Sequence, residues 1–373
     1  MRIGIIINSS WNIYNFRIGL IEAFQKGGHQ VIAIAPDDGF VAELEAKGCE
    51  FFPLEMERKG ANPLKDFFLI FNLYKAYKSA KLDIALHFTI KPNIYGTLAA
   101  RLLNIHTINN VTGLGTVFIH DNLTSKIAQK LYRFAFQFPK KVFFQNQDDL
   151  DLFAEKKLIS RKIADLLPGS GINTEKFKPQ IGAVRNASNK FTFLLIARLL
   201  YDKGILEYID AIRILKKNNE NTHFQLLGKI ETDKGLGVTK EILQTWIDEG
   251  LIDYLGTTSE VRPFIQNADC VVLPSYREGT PRTLLESASM GKPLVATNVA
   301  GCKETIIDGV NGFLCEVRNA KDLAEKMKKM MQLGENEYKE MGKQSRNLAV
   351  TKFDEKIVVQ KYLQAISLYS SKI

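Results

Sequence analysis

The sequence predicts an α/β protein of two doubly wound parallel-sheet domains that face each other across a cleft. Three observations carry this. Apolar runs of strand length alternate with amphipathic runs of helix length along most of the 373-residue chain, the pattern of β-α-β units around a parallel sheet. The alternation lapses once, from Gly169-Ser170-Gly171-Ile172-Asn173 through Phe177-Lys178-Pro179 and a polar stretch from Gln180 to Lys190. It then restarts, which reads as an interdomain crossover. The length suits two domains of ordinary size.

In the first half, Arg2 to Asn8 (RIGIIIN) reads as a buried strand and Ser9-Ser10 as a polar turn. A helix follows from about Tyr14 to Lys26, ended by Gly27-Gly28, and then a strand, His29 to Ala35 (HQVIAIA). No G-x-G-x-x-G follows the first strand, so no dinucleotide cradle is expected there. Val41 to Lys47 is a short helix and Cys49 to Leu54 a strand. Pro63 to Ser79 is a helix that mixes Phe67, Phe68, Phe71, Tyr74 and Tyr77 with Lys65, Lys75 and Lys78. Asp83 to Phe88 is a strand, Asn93 to Leu103 a helix, and His106 to Val111 a strand ending in Thr112-Gly113-Leu114-Gly115. A strand at Phe143 to Gln145 and a helix from about Asp148 complete this half.

Asp121 to Lys141 combines Lys126, Lys130, Arg133, Lys140 and Lys141 with Leu131, Tyr132, Phe134, Phe136 and Phe138. Such a helix could lie on an anionic bilayer; a packed helix with a solvated basic face is the plain alternative, and periodicity does not separate them.

The second half repeats the alternation. Strands are expected at Phe191 to Ala197, His223 to Leu227, Ile252 to Leu255 and Cys270 to Leu273. Helices are expected at Leu206 to Lys217, Thr239 to Gly250 and Val261 to Asn267. Val295-Ala296-Thr297 is a strand end, Gly301-Cys302-Lys303-Glu304 turns into the next segment, and Asp308 to Gly312 is a tight turn. Asp322 to Leu333, Glu337 to Thr351 and Asp354 to Tyr369 are helices.

The stretch most informative about function is Val271 to Pro293 (VVLPSYREGTPRTLLESASMGKP). An apolar strand leads into a polar loop, and Thr280 reads as the N-cap of a helix with Pro281 at its first position. Leu284, Leu285 and Ala288 recur at helical spacing, and Gly291 and Pro293 end the helix. Loop N–H groups beside a helix N-terminus suit an anion such as a diphosphate. Two carboxylates there, Glu278 and Glu286, suit hydroxyl donors: a ribose diol and a sugar hydroxyl. The bland alternative is a surface helix with a solvated Glu278 and an ion-paired Glu286. A second element, Ala197-Arg198-Leu199-Leu200-Tyr201-Asp202-Lys203-Gly204, also follows a strand and precedes a helix. Arg198 offers a bidentate fork and Lys203 a point charge, fit for a diphosphate leaving group. Taken alone, this pair reads equally as solvated surface charge.

Glu278-Gly279-Thr280-Pro281 through Leu285-Glu286, with Gly291-Lys292-Pro293-Leu294-Val295-Ala296-Thr297 and Gly301 to Gly312, resembles the E-x7-E region of retaining family 4 glycosyltransferases of the GT-B fold. The resemblance covers most of the C-terminal half and is looser before it. It implies two Rossmann-like domains, 1–172 on the acceptor side and 173–354 binding the nucleotide sugar, with a final helix at about 355–373 returning to the first. It implies that Arg198 and Lys203 stabilise the leaving diphosphate with the backbone from Gly279 to Thr283, that Glu286 holds ribose and that Glu278 holds the transferred sugar. By the same resemblance Arg282, Thr283 and Leu284 line the donor site, and Gly228 and Lys229 lie near the nucleotide. The family works without a metal, and no Asp-x-Asp motif occurs here. Its proposed route is front-face attack, with a donor phosphate oxygen taking the acceptor proton. Two regions depart from the family: Ser9, Ser10 and Trp11 replace a glycine-rich turn, and Asn110 and Thr112 occupy the region where many relatives carry a histidine, with Thr112 the candidate there.

A narrower resemblance rests on Ile13-Tyr14-Asn15-Phe16-Arg17, Asn62-Pro63, Gly113-Leu114-Gly115 and Leu273-Pro274-Ser275-Tyr276. These are similar to bacterial enzymes that extend undecaprenyl-diphosphate-linked glycans with N-acetylgalactosamine. They imply a UDP-N-acetylhexosamine donor, a polyprenyl-linked acceptor and a peripheral place on the inner face of the plasma membrane. No separate cofactor is expected, the UDP-sugar being a substrate.

Bulk properties agree with a soluble globular chain, 45% hydrophobic and 24% charged. Cys49, Cys270, Cys302 and Cys315 lack CxxC or metal spacing, and Cys270 and Cys302, within apolar runs, read as reduced core residues, as expected in a cytoplasm. No run reaches the length of a membrane span, and Met1-Arg2 leads straight into a strand. The net charge of +9 calls for an anionic partner: nucleotide, acidic membrane or nucleic acid. Three other readings stay open: a UDP-N-acetylglucosamine 2-epimerase on the same fold, a transferase using another donor such as GDP-mannose, and a nonenzymatic nucleic-acid or membrane binder. The intact Glu278/Glu286 and Arg198/Lys203 sets argue against the last, and no nucleic-acid partner is expected.

Overall fold

The structure, a computed structural model, describes residues 1–57, 62–114, 123–180, 190–217, 221–230 and 236–370. The chain divides into two compact units, Met1–Ser170 with Glu355–Ile373, and Gly171–Asp354. Gly115, Asp121, Asn122 and most of the polar stretch after Gln180 lie outside the described residues.

The first unit runs β1 (Arg2–Ile6), α1 (Ser10–Lys26), β2 (Gln30–Ala35), α2 (Val41–Ala46), β3 (Glu50–Pro53), α3 (Pro63–Ser79) and β4 (Ile84–Phe88). A π-helical turn, Pro92–Gly96, leads into α4 (Thr97–Leu102). Then come β5 (His106–Val111), α5 (Leu123–Ala135), β6 (Lys141–Phe144), α6 (Gln147–Glu155) and β7 (Ala164–Leu166). Its seven strands lie in the order β3-β2-β1-β4-β5-β6-β7, and every pairing is parallel. The winding reverses between β1 and β4, the place where doubly wound sheets open a crevice at their strand C-termini. Isoleucine-rich strands explain the sheet's burial on both faces: Ile3 and Ile5 pack toward one set of helices, Ile6, Ile32 and Ile34 toward the other.

Two local starts differ from the sequence reading. Helix α1 begins at Ser10, not near Tyr14, because Ser9 is an N-cap accepting from the Asn12 N–H. Asp38 gathers this end, accepting from the Ser9 and Ser10 hydroxyls and, at 2.8 Å, from the Trp11 N–H. The helix expected from Asn93 is π-helical through Gly96 before it turns α. A buried polar knot lies under it: Asn109 Nδ2 donates to Asn93 O and Thr97 Oγ1, and Tyr77 Oη meets His87 Nε2 at 2.9 Å.

The second unit runs β8 (Phe191–Ile196), a 3₁₀ turn at Tyr201–Lys203, α7 (Ile205–Lys216), β9 (Thr222–Leu227), α8 (Lys240–Asp248), β10 (Asp253–Tyr254), α9 (Arg262–Asn267) and β11 (Cys270–Leu273). It continues with α10 (Arg282–Ser289), β12 (Leu294–Thr297), a 3₁₀ turn at Lys303–Thr305, β13 (Gly312–Cys315), α11 (Ala320–Met331) and α12 (Glu335–Lys352). Its six strands, again parallel, lie in the order β10-β9-β8-β11-β12-β13. The reversal falls between β8 and β11, so the loops after Ile196 and Leu273 flank the crevice position. The last helix, α13 (Glu355–Ser370), packs on α1 in the first unit, where Tyr362 lies against Phe88 and Phe143.

All four cysteines are buried and unbridged, and burial raises each thiol pKa. Among the described residues no helix is long and apolar enough to cross a membrane.

Candidate active site

The loop after β8 folds back on the end of β11. Gly204, at φ +71°, makes this possible: a Cβ there would sit 2.0 Å from the Pro274 carbonyl oxygen. The Asp202 carbonyl accepts from the Tyr276 N–H at 2.8 Å and the Ser275 hydroxyl at 3.1 Å, so the two loops are laced together. On the other side the Glu278 N–H donates to Ala300 O at 3.1 Å. The Gly301 N–H donates to the Glu304 carboxylate at 2.7 Å, which gives Glu304 a turn-capping role.

These ties bring Lys203 and Glu278, 75 residues apart in sequence, into an ion pair of 2.5 Å. Both side chains are mostly buried. Burial works against the charge on Lys203, but Glu278 and then Asp202 outweigh it, and its pKa stands above the ordinary lysine value. Arg198, exposed on the same loop, presses the other way on that charge. Thus the pair forms within the unit that also carries Arg198.

Helix α10 begins one residue later than its sequence signals suggest. Pro281 is extended, at φ −71° and ψ 117°, and is itself the cap; Thr280 does not cap. The Thr283 hydroxyl donates to Ile196 O at 3.1 Å, so the first turn of α10 is fixed to the end of β8. Leu284 and Leu285 are buried beneath it. Gly279 and Thr280 lie half-buried in the loop before it. Glu286 sits one turn on and accepts from Arg282 Nε at 3.0 Å, while Arg282 Nη1 donates to Gly171 O. Burial is the larger influence on Glu286 and raises its pKa above the glutamate value, with Arg282 opposing.

Gly228 closes the third side. It lies at φ +153°, and a Cβ would fall 1.7 Å from Ala197 O. Lys229 follows, its carbonyl accepting from the Leu199 N–H at 2.9 Å. Thr112 belongs to the other unit, half-buried just past the end of β5. The expected residues of the second unit therefore gather at one sheet edge, on the loops after β8, β9 and β11 and on the first turns of α10. Glu286 is ion-paired, to Arg282, as the bland alternative had it; what the sequence did not suggest is that Glu278, read there as solvated, already holds Lys203. It also did not suggest Tyr276, whose hydroxyl donates to Glu207 at 2.8 Å and whose ring lies 4.5 Å from the Arg318 guanidinium. No spacing rule marks that contact. Among the described residues no cluster of side chains is suited to holding a metal ion.

Two doubly wound parallel sheets of seven and six strands, one in each unit, define the GT-B fold. The family comparisons agree. The family described as "Glycosyl transferases group 1" matches residues 177–348, and "Glycosyl transferase 4-like" matches residues 2–146. The chain is 30% identical over 381 residues, covering 98% of each protein, to N,N'-diacetylbacillosaminyl-diphospho-undecaprenol alpha-1,3-N-acetylgalactosaminyltransferase of Campylobacter jejuni. It is 25% identical to an Escherichia coli UDP-Gal:alpha-D-GlcNAc-diphosphoundecaprenol alpha-1,3-galactosyltransferase, over 69% of this chain and 68% of that one. Among solved structures, a glycosyltransferase from Rickettsia africae superposes with a TM-score of 0.81 at 20% identity, covering 100% of this chain and 99% of that one. Anabaena Alr3699/HepE in complex with UDP-glucose gives 0.82 at 19%, covering 98% and 99%. The chain belongs to the group 1 glycosyltransferases, and it is an enzyme of glycosyl transfer.

Proposed function

We propose that this enzyme moves an N-acetylhexosamine from a UDP-sugar to a hydroxyl of a polyprenyl-diphosphate-linked glycan, with retention and without a metal, in bacterial surface or protein-glycan assembly. The Lys203–Glu278 pair beside α10 is the observation that carries this reading. A nucleoside diphosphate entering here competes with Glu278 for Lys203, and the displaced carboxylate is then free to accept from a sugar hydroxyl. Arg198, Lys203 and the backbone from Gly279 to Thr283 meet the charge that grows on the leaving diphosphate, so their stabilisation is greatest in the transition state. Glu286, oriented by Arg282, takes the ribose hydroxyls; Gly228 and Lys229 border the nucleotide. The bond from the anomeric carbon to the diphosphate oxygen breaks, the acceptor oxygen bonds to that carbon on the same face, and the acceptor proton passes to the departing phosphate.

The first unit takes the acceptor, with Thr112 assigned there by resemblance. The second takes the donor. The lipid-linked acceptor is supported by the activities for which the Campylobacter and Escherichia relatives are named. A UDP donor is supported by the Anabaena neighbour and the Escherichia enzyme. Such an acceptor would hold the enzyme at the inner face of the plasma membrane.

The test is a panel of UDP- and GDP-sugars against polyprenyl-diphosphate-linked acceptors in EDTA, with the product's anomeric coupling read by NMR. Transfer from UDP-N-acetylhexosamine with an α-linked product is expected. Inversion, a strict metal requirement, preference for GDP-mannose, or epimerisation of the UDP-sugar without acceptor would overturn it.

A further inference from the structure

Helix α3 is amphipathic in an unusual sense. Its inner face buries Asp66, Leu69, Leu73 and Tyr77, as a core-facing helix should. Its outer face is not polar: Leu64, Phe67, Phe68 and Phe71 are 73%, 68%, 61% and 52% exposed. Their i, i+3, i+4, i+7 spacing places all four on one stripe. Lys75 and Lys78 continue the same stripe toward the C-terminus, and both are exposed. Lys75 Nζ sits 4.4 Å from the centre of the Phe71 ring, its stem lying along the aromatic patch. The single acid of the helix, Asp66, points inward and pairs with Lys91 at 2.8 Å. No negative charge interrupts the stripe.

We propose that this outer face of α3 docks on an anionic lipid bilayer, the phenylalanines entering the interface and Lys75 and Lys78 meeting the head groups. Charge decides the occupant: a protein partner would need acids placed against two lysines beyond four apolar groups, whereas an acidic bilayer offers both layers at every point. The net charge of +9 favours the same surface. Helix α5 is the weaker candidate. Its exposed Leu123, Ile127 and Phe134 are interleaved with Lys126, Lys130 and Arg133, and Arg133 Nη2 is turned to Lys156 O at 2.9 Å. The inference rests on the lipid-linked-acceptor reading for its purpose but not for its measurement.

The experiment is flotation of the full chain with vesicles of equal phosphatidylglycerol and phosphatidylcholine, without donor or acceptor. Wild type is expected to bind them and to bind pure phosphatidylcholine at least tenfold more weakly, roughly as a basic patch should. Phe67→Ser/Phe68→Ser/Phe71→Ser should lower the partition at least about tenfold. Lys75→Gln/Lys78→Gln should lower it about twenty-fivefold, each lysine being worth about a factor of five. These positions are exposed, so unchanged circular dichroism is expected and separates loss of docking from loss of fold. The proposal is overturned if the triple variant partitions within twofold of wild type. It is also overturned if Ile127→Ser/Phe134→Ser abolishes binding while the α3 variants keep it. Self-association in sedimentation velocity that the triple variant removes, with no vesicle binding by wild type, would assign the face to a second copy. Transfer to a detergent-dispersed polyprenyl-diphosphate glycan is measured separately: retained transfer without vesicle binding overturns the docking alone, and absent transfer with intact binding overturns the acceptor reading alone.

Discussion

Replacing Lys203 by methionine removes one charge of the Lys203–Glu278 pair and keeps most of the stem. The two ions are 2.5 Å apart, with side chains 17% and 16% exposed. At an effective dielectric of about 20 their attraction is roughly 7 kcal/mol, and desolvation of both ions offsets much of it. Stranding one member of a fully buried pair costs about 3–5 kcal/mol, and the residual exposure here puts the cost near the lower end. In a unit of this size, about 3 kcal/mol is a fall in Tm of roughly 6–12 °C. The sign with pH follows from the raised Lys203 pKa. The contribution is fully present below the ordinary lysine value of 10.5 and is lost as pH rises through the higher folded value, so it is complete at pH 7. The double variant Lys203→Met/Glu278→Gln strands neither charge and should recover most of the lost Tm. It should not recover turnover: kcat stays down about 10²–10³-fold, the usual cost of one preorganised electrostatic contact to a leaving group. The assay is thermal unfolding by circular dichroism beside initial rates with a saturating donor. A single variant with unchanged Tm and kcat within threefold of wild type would refute the reasoning.

Other outcomes can be stated more briefly. Glu286→Ala should weaken UDP binding, whereas Arg198→Ala should chiefly lower kcat; equal effects on both constants would separate neither role. Because burial raises the Glu286 pKa above 4.5, UDP affinity in the wild type should fall as pH drops through that raised value, and calorimetry on Glu286→Gln should show a shallower fall than wild type over the same range. Gly228→Ala places a Cβ 1.7 Å from Ala197 O, so β8 and β9 must part, and donor KM should rise with a stability loss of about 2–3 kcal/mol by urea titration. His87 is held neutral by burial, its pKa lowered to about 3, so the first unit should lose stability as pH falls from 6.5 toward 3, by up to about 5 kcal/mol; His87→Gln should remove that slope in acid titrations.

Most of this fold could be read from apolar runs because parallel strands buried on both faces are nearly continuous in Ile, Val and Leu. The exceptions have physical causes. β7, Ala164–Leu166, is three residues long with Asp165 at its centre, too short and polar for a periodic signal. β13, Gly312–Cys315, follows a tight turn so closely that Gly312 reads as part of it. The α1 start was obscured because Ser9 and Ser10 owe their places to Asp38, 28 or more residues away. At the candidate site the residue types were legible, since Arg198, Lys203 and Glu278 sit on strand-to-helix segments and Glu286 on the helix that follows one. Their pairing was not, because an Lys203–Glu278 contact depends on how β8 and β11 lie side by side, which no local spacing encodes. The outward aromatic stripe of α3 was equally hidden: the same phenylalanines would fit a core-facing helix, and only burial separates the two.

The most direct test of the donor site is calorimetric titration of UDP, in EDTA, into the wild type and into Arg198→Ala/Lys203→Met. Binding by the wild type without metal, weakened at least about tenfold in the variant, is the predicted result. Equal UDP affinity in the two proteins, or binding only when a divalent cation is restored, would contradict it.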